Sequence, residues 1–525
     1  MRVWRIVGVL GVAAALLTST LPSTAAGASP VQADSSCAPD PSTPLRQFRA
    51  TWVSSVVNID WPSRTGLTAA QQQAELIGWL DDAVRQRHNT VVLQIRPTAD
   101  AFWPSKVEPW SRYLTGQQGG NPGYDPLAFA VAEAHKRNLE LHGWFNPYRL
   151  SMGTDLNALV PEHPARQHPD WVVTYGGKLY YNPGIPAARK LVEDAIMDAV
   201  SGYDLDGVHF DDYFYPYPVA GQVFDDAATY AQYGAAFPTV AEWRRNNINL
   251  LIQELQHRIK AAKPWVKFGI SPFAVWRNAA TDPLGSDTTA GVQTYDDLAA
   301  DTRRWVREEW IDYIVPQVYW AGGFAPADYN KIVPWWAEQV RGTDVHLYIG
   351  QATYKVGTST QSPDWSDPAE LSDHLAFNAT IPEVKGDIYF SAKDVRADRL
   401  GATSLLNSNW YTRPALIPAM PSLDSRAPLP VRSLRSDRTS TGVRLQWRAT
   451  SAETTSYAVY RRDLTAGDWC ADNDARNLIA TLRSTGGQQT YVDTTAVKGH
   501  HYLYSVTALD RTWNQSLPIP TISVG

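Results

Sequence analysis

Two adjacent carboxylates, Asp211 and Asp212, end a short apolar stretch of the chain, and they are the residues that most clearly indicate chemistry. Side chains alternate along a β-strand, so Val208 and Phe210 are expected on one face and His209 and Asp211 on the other. A buried carboxylate costs free energy unless it is paired or has a function. The stretch therefore predicts a catalytic or binding site at the end of a strand.

Glycoside hydrolysis needs two carboxyl groups across the scissile bond, one protonated and one ionised. Asp211 and Asp212 are the predicted pair. On a regular strand neighbouring residues face opposite sides, so both can reach one sugar only where the strand ends or bulges. If it does neither, the partner of Asp211 must come from another loop, and Asp100 or Glu108 is the nearest candidate.

Strand and helix patterns alternate eight times from Phe48 to about residue 410, which predicts a TIM (β/α)8 barrel with enlarged loops. Thr68 is a candidate cap for the first helix, whose residues Leu76, Leu80 and Val84 are spaced for one buried face. Later predicted elements include a helix over 295–308 and a strand over 313–319. A doubly wound sheet is the alternative, but no glycine-rich turn follows the first strand.

Function in such a barrel collects at the carboxyl ends of the strands. The predicted ends also bring Trp52, Ser54, Trp144 and Ser271 to that face. The residues predicted to bind substrate there are Arg96, Asp100, Trp103, Asn146, Tyr148, Arg149, His209, Tyr213, Tyr215, Gln317, Tyr319 and Trp320. Arginine, asparagine and tyrosine side chains would hydrogen-bond a sugar, and aromatic rings would stack on it.

Composition divides the remaining sequence. Basic residues before an apolar run and a small-residue site predict a secretory signal at 1–28, so the protein is expected to be secreted or wall-associated, without a membrane anchor after cleavage. Residues 29–46 read as a disordered lead-in, 47–412 as the barrel and 413–432 as a proline-rich linker. Residues 433–525 resemble a fibronectin type III module, with Trp447 in its core and Tyr502 or Tyr504 as the corner tyrosine.

A net charge of −6 argues against a nucleic-acid partner, because polyanion binding needs clustered basic residues. The 21 tryptophans and 25 tyrosines suit a polysaccharide partner better. No cofactor or metal is predicted. Cys37 and Cys470 are the only cysteines, and their pairing is left open.

The strand also resembles a variant of the chitinase signature Asp-x-x-Asp-x-Asp-x-Glu. Asp206 and Asp211 match its first and third acids, whereas His209 and Tyr213 replace the second acid and the catalytic Glu. A chitinase mechanism therefore does not transfer directly, although catalysis assisted by an N-acetyl group of the sugar stays open.

Over nearly all of residues 48–410 the chain resembles the bacterial glycosyl hydrolase-like 10 family, once a domain of unknown function. The matching segments are residues 49–52, 94–97, 100–104, 109–111, 114–116, 122–126, 142–149, 182–184, 206–216 and 269–272. The resemblance implies a barrel that acts on carbohydrate. It also implies, through relatives described as cutting peptidoglycan strands stripped of peptides, a cell-wall glycan as substrate.

Three classes remain open. The first is a secreted glycoside hydrolase that uses Asp211 and Asp212. The second is a glycan-binding barrel without catalysis, because the same aromatic and amide groups serve binding. The third is a metal-dependent polysaccharide deacetylase, since an Asp-Asp pair occurs in those enzymes. They also need a histidine pair, and His163 and His168 have the wrong spacing and order.

Overall fold

The computed structural model describes residues 40–467, 470, 474–519 and 522–524. The predicted signal at 1–28, most of the lead-in at 29–46, and Cys37 lie outside these residues. Residues 39–525 belong to one compact unit.

Eight parallel strands close into a barrel in sequential order, which confirms the predicted fold class. Each strand contacts its sequence neighbours, and the first pairs with the last. The strands are β1 (Phe48–Val53), β2 (Thr90–Arg96), β3 (Glu140–Phe145), β4 (Gly207–Phe210), β5 (Lys267–Ile270), β6 (Tyr313–Ile314), β7 (His346–Gln351) and β8 (Val384–Tyr389).

A helix follows every strand. The main helices are α1 (Ala69–Arg85), α2 (Pro126–Lys136), α3 (Pro186–Gly202), α4 (Val240–Ala262), α5 (Thr302–Arg307), α6 (Tyr329–Val340), α7 (Glu370–Asn378) and α8 (Ala402–Asn409). Thr68 caps α1 as predicted, in a reciprocal capping box with Gln71. Val84 is 45% exposed, so its predicted place on the buried face was wrong. Ala83, three residues after Leu80, fills that face instead.

Two other predictions were wrong, and one sheet was not predicted. Strand β6 ends at Ile314 rather than 319, because Pro316 supplies no backbone N–H. Gln317 still forms isolated bridges to Gly350 of β7 and to Phe273, which lies beyond the end of β5. The helix expected over 295–308 is two short helices, Thr294–Asp297 and Thr302–Arg307. An accessory sheet between β3 and α3 was missed. It consists of Arg149–Ser151, Val172–Tyr175 and Lys178–Tyr181.

The barrel wall separates two apolar layers. Val208 and Phe210 of β4 pack outward with the helices, whereas Trp52, Trp144 and Tyr313 belong to a cluster inside the barrel. This division confirms the alternation predicted for β4. It also places His209 and Asp211 on the inner side.

The C-terminal region is a small all-β domain of two sheets, hereafter the sandwich. Its strands are β9 (Arg432–Thr439), β10 (Gly442–Arg448), β11 (Ser456–Asp463), β12 (Leu478–Arg483), β13 (Gln488–Asp493), β14 (Tyr502–Leu509) and β15 (Ile522–Val524). One sheet has the order β9-β10-β13 and the other β12-β11-β14-β15. Tyr460, Leu509 and Trp513 of the sandwich join the apolar cluster inside the barrel, so the two domains share a core.

The described part of the chain contains no helix with the length and apolar character needed to cross a bilayer.

Candidate active site

A cleft of about 320 Å³ opens at the carboxyl ends of the barrel strands. It is lined by Trp52, Ser54, Val56, Val57, Ile59, Gln94, Trp144, Arg149, Met152, Asp211, Asp212, Tyr213, Ser271, Gln317, Tyr319 and Phe390. A larger cleft of about 600 Å³ lies beside the sandwich, where Trp265 and Arg511 line it. We assign the chemistry to the smaller cleft because it holds the carboxylate pair and occupies the functional face of a barrel.

Asp211 is buried at the base of the cleft and is held by donors on two elements. The Asn146 side-chain amide donates to both carboxylate oxygens, at 3.2 and 3.0 Å, and the Tyr213 backbone N–H donates at 3.2 Å. Asn146 is itself fixed, because its side-chain oxygen accepts the Arg149 backbone N–H at 3.2 Å. The carboxylate is therefore held in a defined orientation toward the cleft.

Asp212 also lines the cleft, because β4 ends at Phe210 and the chain no longer alternates as a strand. The Tyr217 hydroxyl donates to one carboxylate oxygen, and the Gln317 side-chain amide donates to the other at 3.1 Å. The strand end thus brings adjacent residues into one cavity, as the catalytic hypothesis requires.

The surroundings of the two carboxylates raise the pKa of both. Burial, followed by the charge of Asp212, raises the pKa of Asp211 to about 6, against the lowering influence of Arg149. Burial raises the pKa of Asp212 as well, but hydrogen bonds from Tyr217 and Gln317 oppose that rise. Two neighbouring buried carboxylates resist double ionisation, so the pair holds one proton to a higher pH than two isolated carboxyl groups would.

The cleft walls supply aromatic surface, cationic charge and free donors. The Arg149 guanidinium bonds the Pro97 carbonyl and lies 5.0 Å from the centre of the Tyr213 ring. The side-chain N–H groups of Gln94 and Trp144 are buried and find no hydrogen-bond partner among the residues described. Such groups favour a ligand that supplies the missing acceptors.

Of the residues predicted to bind substrate, Arg149, Tyr213, Gln317 and Tyr319 line the cleft. Asn146 and His209 lie directly behind it. The other six belong to the interior or to loops and are absent from the lining: Arg96, Asp100, Trp103, Tyr148, Tyr215 and Trp320.

Those six side chains are engaged or buried elsewhere. Arg96 forms a buried ion pair with Glu108 at 2.5 Å, so neither residue is available to a sugar. Trp103 donates to Asp198 on α3 at 2.9 Å. Asp100 accepts the Arg112 backbone N–H, and the Tyr215 hydroxyl accepts from the Asn247 side chain. Trp320 packs edge-on against Phe273, and Tyr148 is enclosed in the outer core.

The cleft contains residues that the sequence did not single out as substrate-binding. Gln94 lies on the inner face of β2 and lines the cleft, whereas the register of β2 against β3 shifts between Gln94 and Arg96, and Arg96 does not line it. Phe390 follows β8, and an apolar rim is formed by Val56, Val57, Ile59 and Met152. Gln94 has the same alternation signal as Asp211, so strand periodicity could have identified it. The rim residues belong to loops and carry no such signal.

Specific contacts also bear on the resemblance to the chitinase signature and on the hypothesis of a metal site. Asp206 accepts from the Leu141 backbone N–H and pairs with His135, which places it at the opposite barrel end from Asp211. His163 uses both ring nitrogens, toward Ala99 and Ala165, so it offers no ligand beside the Asp pair. The described residues contain no group of three His, Cys, Asp or Glu side chains placed to hold a metal.

Comparison with known proteins gives consistent matches. A family model described as glycosyl hydrolase-like 10 matches residues 47–367. Glycosyl hydrolase YngK of Bacillus subtilis (strain 168) is 50% identical over 478 residues, which are 90% of this chain and 92% of the relative. Glycosyl hydrolase DigH of Escherichia coli (strain K12) is 43% identical over 385 residues, which are 69% of this chain and 87% of the relative.

Among solved structures, the glycoside hydrolase domain of PgaB (BpsB) from Bordetella bronchiseptica matches at 13% identity with a TM-score of 0.45. The match covers 70% of this chain and 99% of that one. The family model and the two relatives favour glycoside hydrolysis over glycan binding alone or deacetylation. This protein is a glycoside hydrolase and belongs to the glycosyl hydrolase-like 10 family.

Proposed function

We propose that this protein is a secreted or wall-associated enzyme that hydrolyses the glycan strands of bacterial cell wall, with Asp211 and Asp212 as its catalytic carboxyl groups. The observation that carries the proposal is the pair of buried carboxylates with raised pKa values in one aromatic-lined cleft. A raised pKa on one carboxyl group that lies beside a second carboxyl group is characteristic of the catalytic acid in glycosidases.

In this proposal Asp211 acts as the acid. Its pKa of about 6 leaves roughly a tenth of the groups protonated at pH 7 and a larger fraction at lower pH. Asp212 is the ionised partner because Tyr217 and Gln317 both donate to it. Asp211 gives its proton to the leaving glycosidic oxygen as the bond to the anomeric carbon breaks. A water molecule adds to that carbon and returns a proton to the carboxylate pair.

The cell-wall substrate is supported by the chemistry of the cleft walls. Cell-wall glycans carry acetamido groups, whose carbonyl oxygens would satisfy the free N–H groups of Gln94 and Trp144. The rings of Trp52, Trp144 and Tyr319 offer stacking surface for sugar faces. Arg149 would attract the carboxylate that alternate sugars of such strands bear.

The test is incubation of the mature protein with peptide-free glycan strands and mass analysis of the products. Asp211→Asn and Asp212→Asn should each lower kcat by about 10²–10⁴-fold, the usual contribution of an acid or base. Asp170→Asn changes an exposed aspartate and is the matched control. Wild-type turnover by Asp211→Asn would overturn the catalytic assignment, and no product from any wall glycan would overturn the substrate.

Recognition of the acetamido group is tested separately. Trp144→Phe keeps most of the ring but removes the free N–H, and should raise KM for acetylated strands about five- to tenfold, the value of one neutral hydrogen bond. De-N-acetylated strands should show little change. An equal effect on both substrates would contradict this contact while leaving the carboxylate assignment intact.

For the sandwich we propose a fibronectin type III-like module. Its sheets of three and four strands, the buried Trp447 on β10, and the Tyr502 hydroxyl that accepts the Val497 backbone N–H at 2.9 Å support this assignment. An experimental structure with a different strand order would contradict it.

A further inference from the structure

Polar side chains run through the apolar cluster inside the barrel, beneath the cleft. Glu140, His142, His209, Lys267 and Tyr313 are all fully or almost fully buried there. Barrels of this kind usually fill the axis with Val, Ile and Leu. A buried ion pair seldom stabilises a fold more than apolar packing does, so this arrangement calls for another explanation than stability.

These side chains form one continuous chain of hydrogen bonds. His209 Nε2 lies 3.1 Å from both Trp52 Nε1 and Ser271 Oγ, at the base of the cleft. The Tyr313 hydroxyl lies 3.1 Å from His209 Nδ1 and 2.8 Å from His142 Nδ1. Glu140 continues the chain, since one of its oxygens lies 2.9 Å from His142 Nε2.

The lower end of the chain belongs to the sandwich. Trp513 Nε1 donates to Glu140 at 2.5 Å, and Lys267 forms an ion pair with the same oxygen. Trp513 adopts a left-handed backbone conformation, with φ of +66°, which is costly for a bulky residue. The Asp510 carboxylate holds this turn by accepting the backbone N–H groups of Thr512 and Asn514.

The donors assign a single direction to the chain. An indole is a donor only, so His209 Nε2 must accept from Trp52, and the ring carries its proton on Nδ1. Burial lowers the pKa of His209 well below its ordinary value, which keeps the ring neutral. Tyr313 then accepts from His209 and donates to His142, and His142 donates to Glu140. Trp513 anchors the acceptor end.

We propose that Trp513 is a positioning residue for the cleft. Its N–H fixes Glu140, and the chain through His142, Tyr313 and His209 sets the orientation of Trp52 and Ser271, both of which line the cleft. The sandwich thereby closes the barrel floor and is part of the catalytic domain's architecture. The chemical class of the substrate plays no part in this inference.

The test uses Trp513→Phe in the full-length mature protein, a change that keeps an aromatic ring and removes the N–H. The indole ¹H–¹⁵N resonance of Trp52, which the Trp52→Phe variant identifies, should shift. His209 accepts the hydrogen bond of Trp52, and it is no longer fixed through the chain that ends at Trp513. The kcat on peptide-free glycan should fall about tenfold, a typical loss when reacting groups shift slightly. An unmoved Trp52 resonance would overturn the proposal, whatever the activity.

Trp447→Phe is the matched control. Trp447 is as deeply buried in the sandwich, but it packs against Tyr457 and is not bonded to Glu140, so the change perturbs the sandwich without touching the chain. The Trp52 resonance and kcat should stay as in the wild type. If both variants shift Trp52 equally, general loosening of the sandwich explains the effect and the proposal fails.

Tyr313→Phe cuts the chain at its midpoint and serves where Trp513→Phe does not fold. Both the Trp52 and Trp513 indole resonances should then move, since each end loses its link to the other. Where Trp513→Phe does fold, combining it with Tyr313→Phe should lower kcat no further than Tyr313→Phe alone. A Trp513 resonance unaffected by Tyr313→Phe, or additive losses in the double variant, would overturn the proposal.

Discussion

Both ends of the barrel bury carboxylates, but the surroundings at the two ends shift the pKa of the buried group in opposite directions. At the mouth, burial and the neighbouring Asp212 raise the pKa of Asp211. At the floor, burial disfavours ionisation of Glu140 too, yet the Lys267 ammonium beside it holds the pKa below its ordinary value. Burial is therefore a poor marker of function by itself. The informative feature is a buried charge whose neighbours leave it uncompensated.

The largest effect is expected from Glu140→Gln at the floor of the barrel. Removing the charge leaves Lys267 buried without its anionic partner, and the free energy of unfolding should fall by about 3–5 kcal/mol at pH 7. Denaturant unfolding measures the change, with the exposed Glu453→Gln as control. If the variant loses no more unfolding free energy than the control, the buried carboxylates at the floor and at the mouth do not differ as described.

Asp211→Asn at the mouth should have the opposite sign. The folded pKa of about 6 exceeds the ordinary value of 3.8, so the folded state binds the proton more tightly and stability falls as the pH rises between those values. Above pH 6 the penalty is complete, so the variant should gain up to about 3 kcal/mol at pH 8 and nothing near pH 3.5. Equal stability of the two proteins at pH 8 would count against an uncompensated Asp211.

The pH dependence of turnover sharpens the same point. If protonated Asp211 is the acid, kcat should decrease about tenfold per pH unit on the alkaline side of an apparent pKa near 6. The profile is measured with peptide-free glycan at constant ionic strength. Retention of that limb in Asp211→Asn would assign the titration to another group.

The smallest effect is expected at the rim of the mouth. Val57 has φ of +47°, a strained conformation for a β-branched residue, and its side chain is 54% exposed beside the cleft. Val57→Gly should stabilise the fold by about 1 kcal/mol, because relief of strain exceeds the entropy cost of glycine. KM should rise about twofold as apolar contact with the substrate is lost. A destabilised variant with wild-type KM would show that the strain has no role at the mouth.

The barrel was predictable because its strands have strong local signals. Alternation in β4 correctly separated Val208 and Phe210 from His209 and Asp211. The same alternation along β2 would also have placed Gln94 inside the barrel. The strand predicted over 313–319 ends at Ile314, because Pro316 supplies no backbone N–H. The accessory sheet was missed since Arg149–Ser151 is only three residues long, too short for a periodic signal.

The site was less predictable than the fold, because loop partners depend on contacts between distant residues. Arg96 has the residue type and position of a sugar ligand, but Glu108 on the following loop captures it. Trp103 is captured in the same way by Asp198, 95 residues later. Strand alternation could foresee neither pairing. The contact between Trp513 and Glu140 joins the two domains, and no local pattern in the sequence predicts it.

The bond between Trp513 and Glu140 has a consequence for how the chain assembles. It connects residues separated by 373 positions, one of the longest loops that the fold must close. Entropy makes such closures late events, so helices and neighbouring strands should assemble first while the charges of Glu140 and Lys267 are still hydrated. We expect the barrel to lose its last water only when the sandwich docks, which makes docking the step that commits the molecule to its native form.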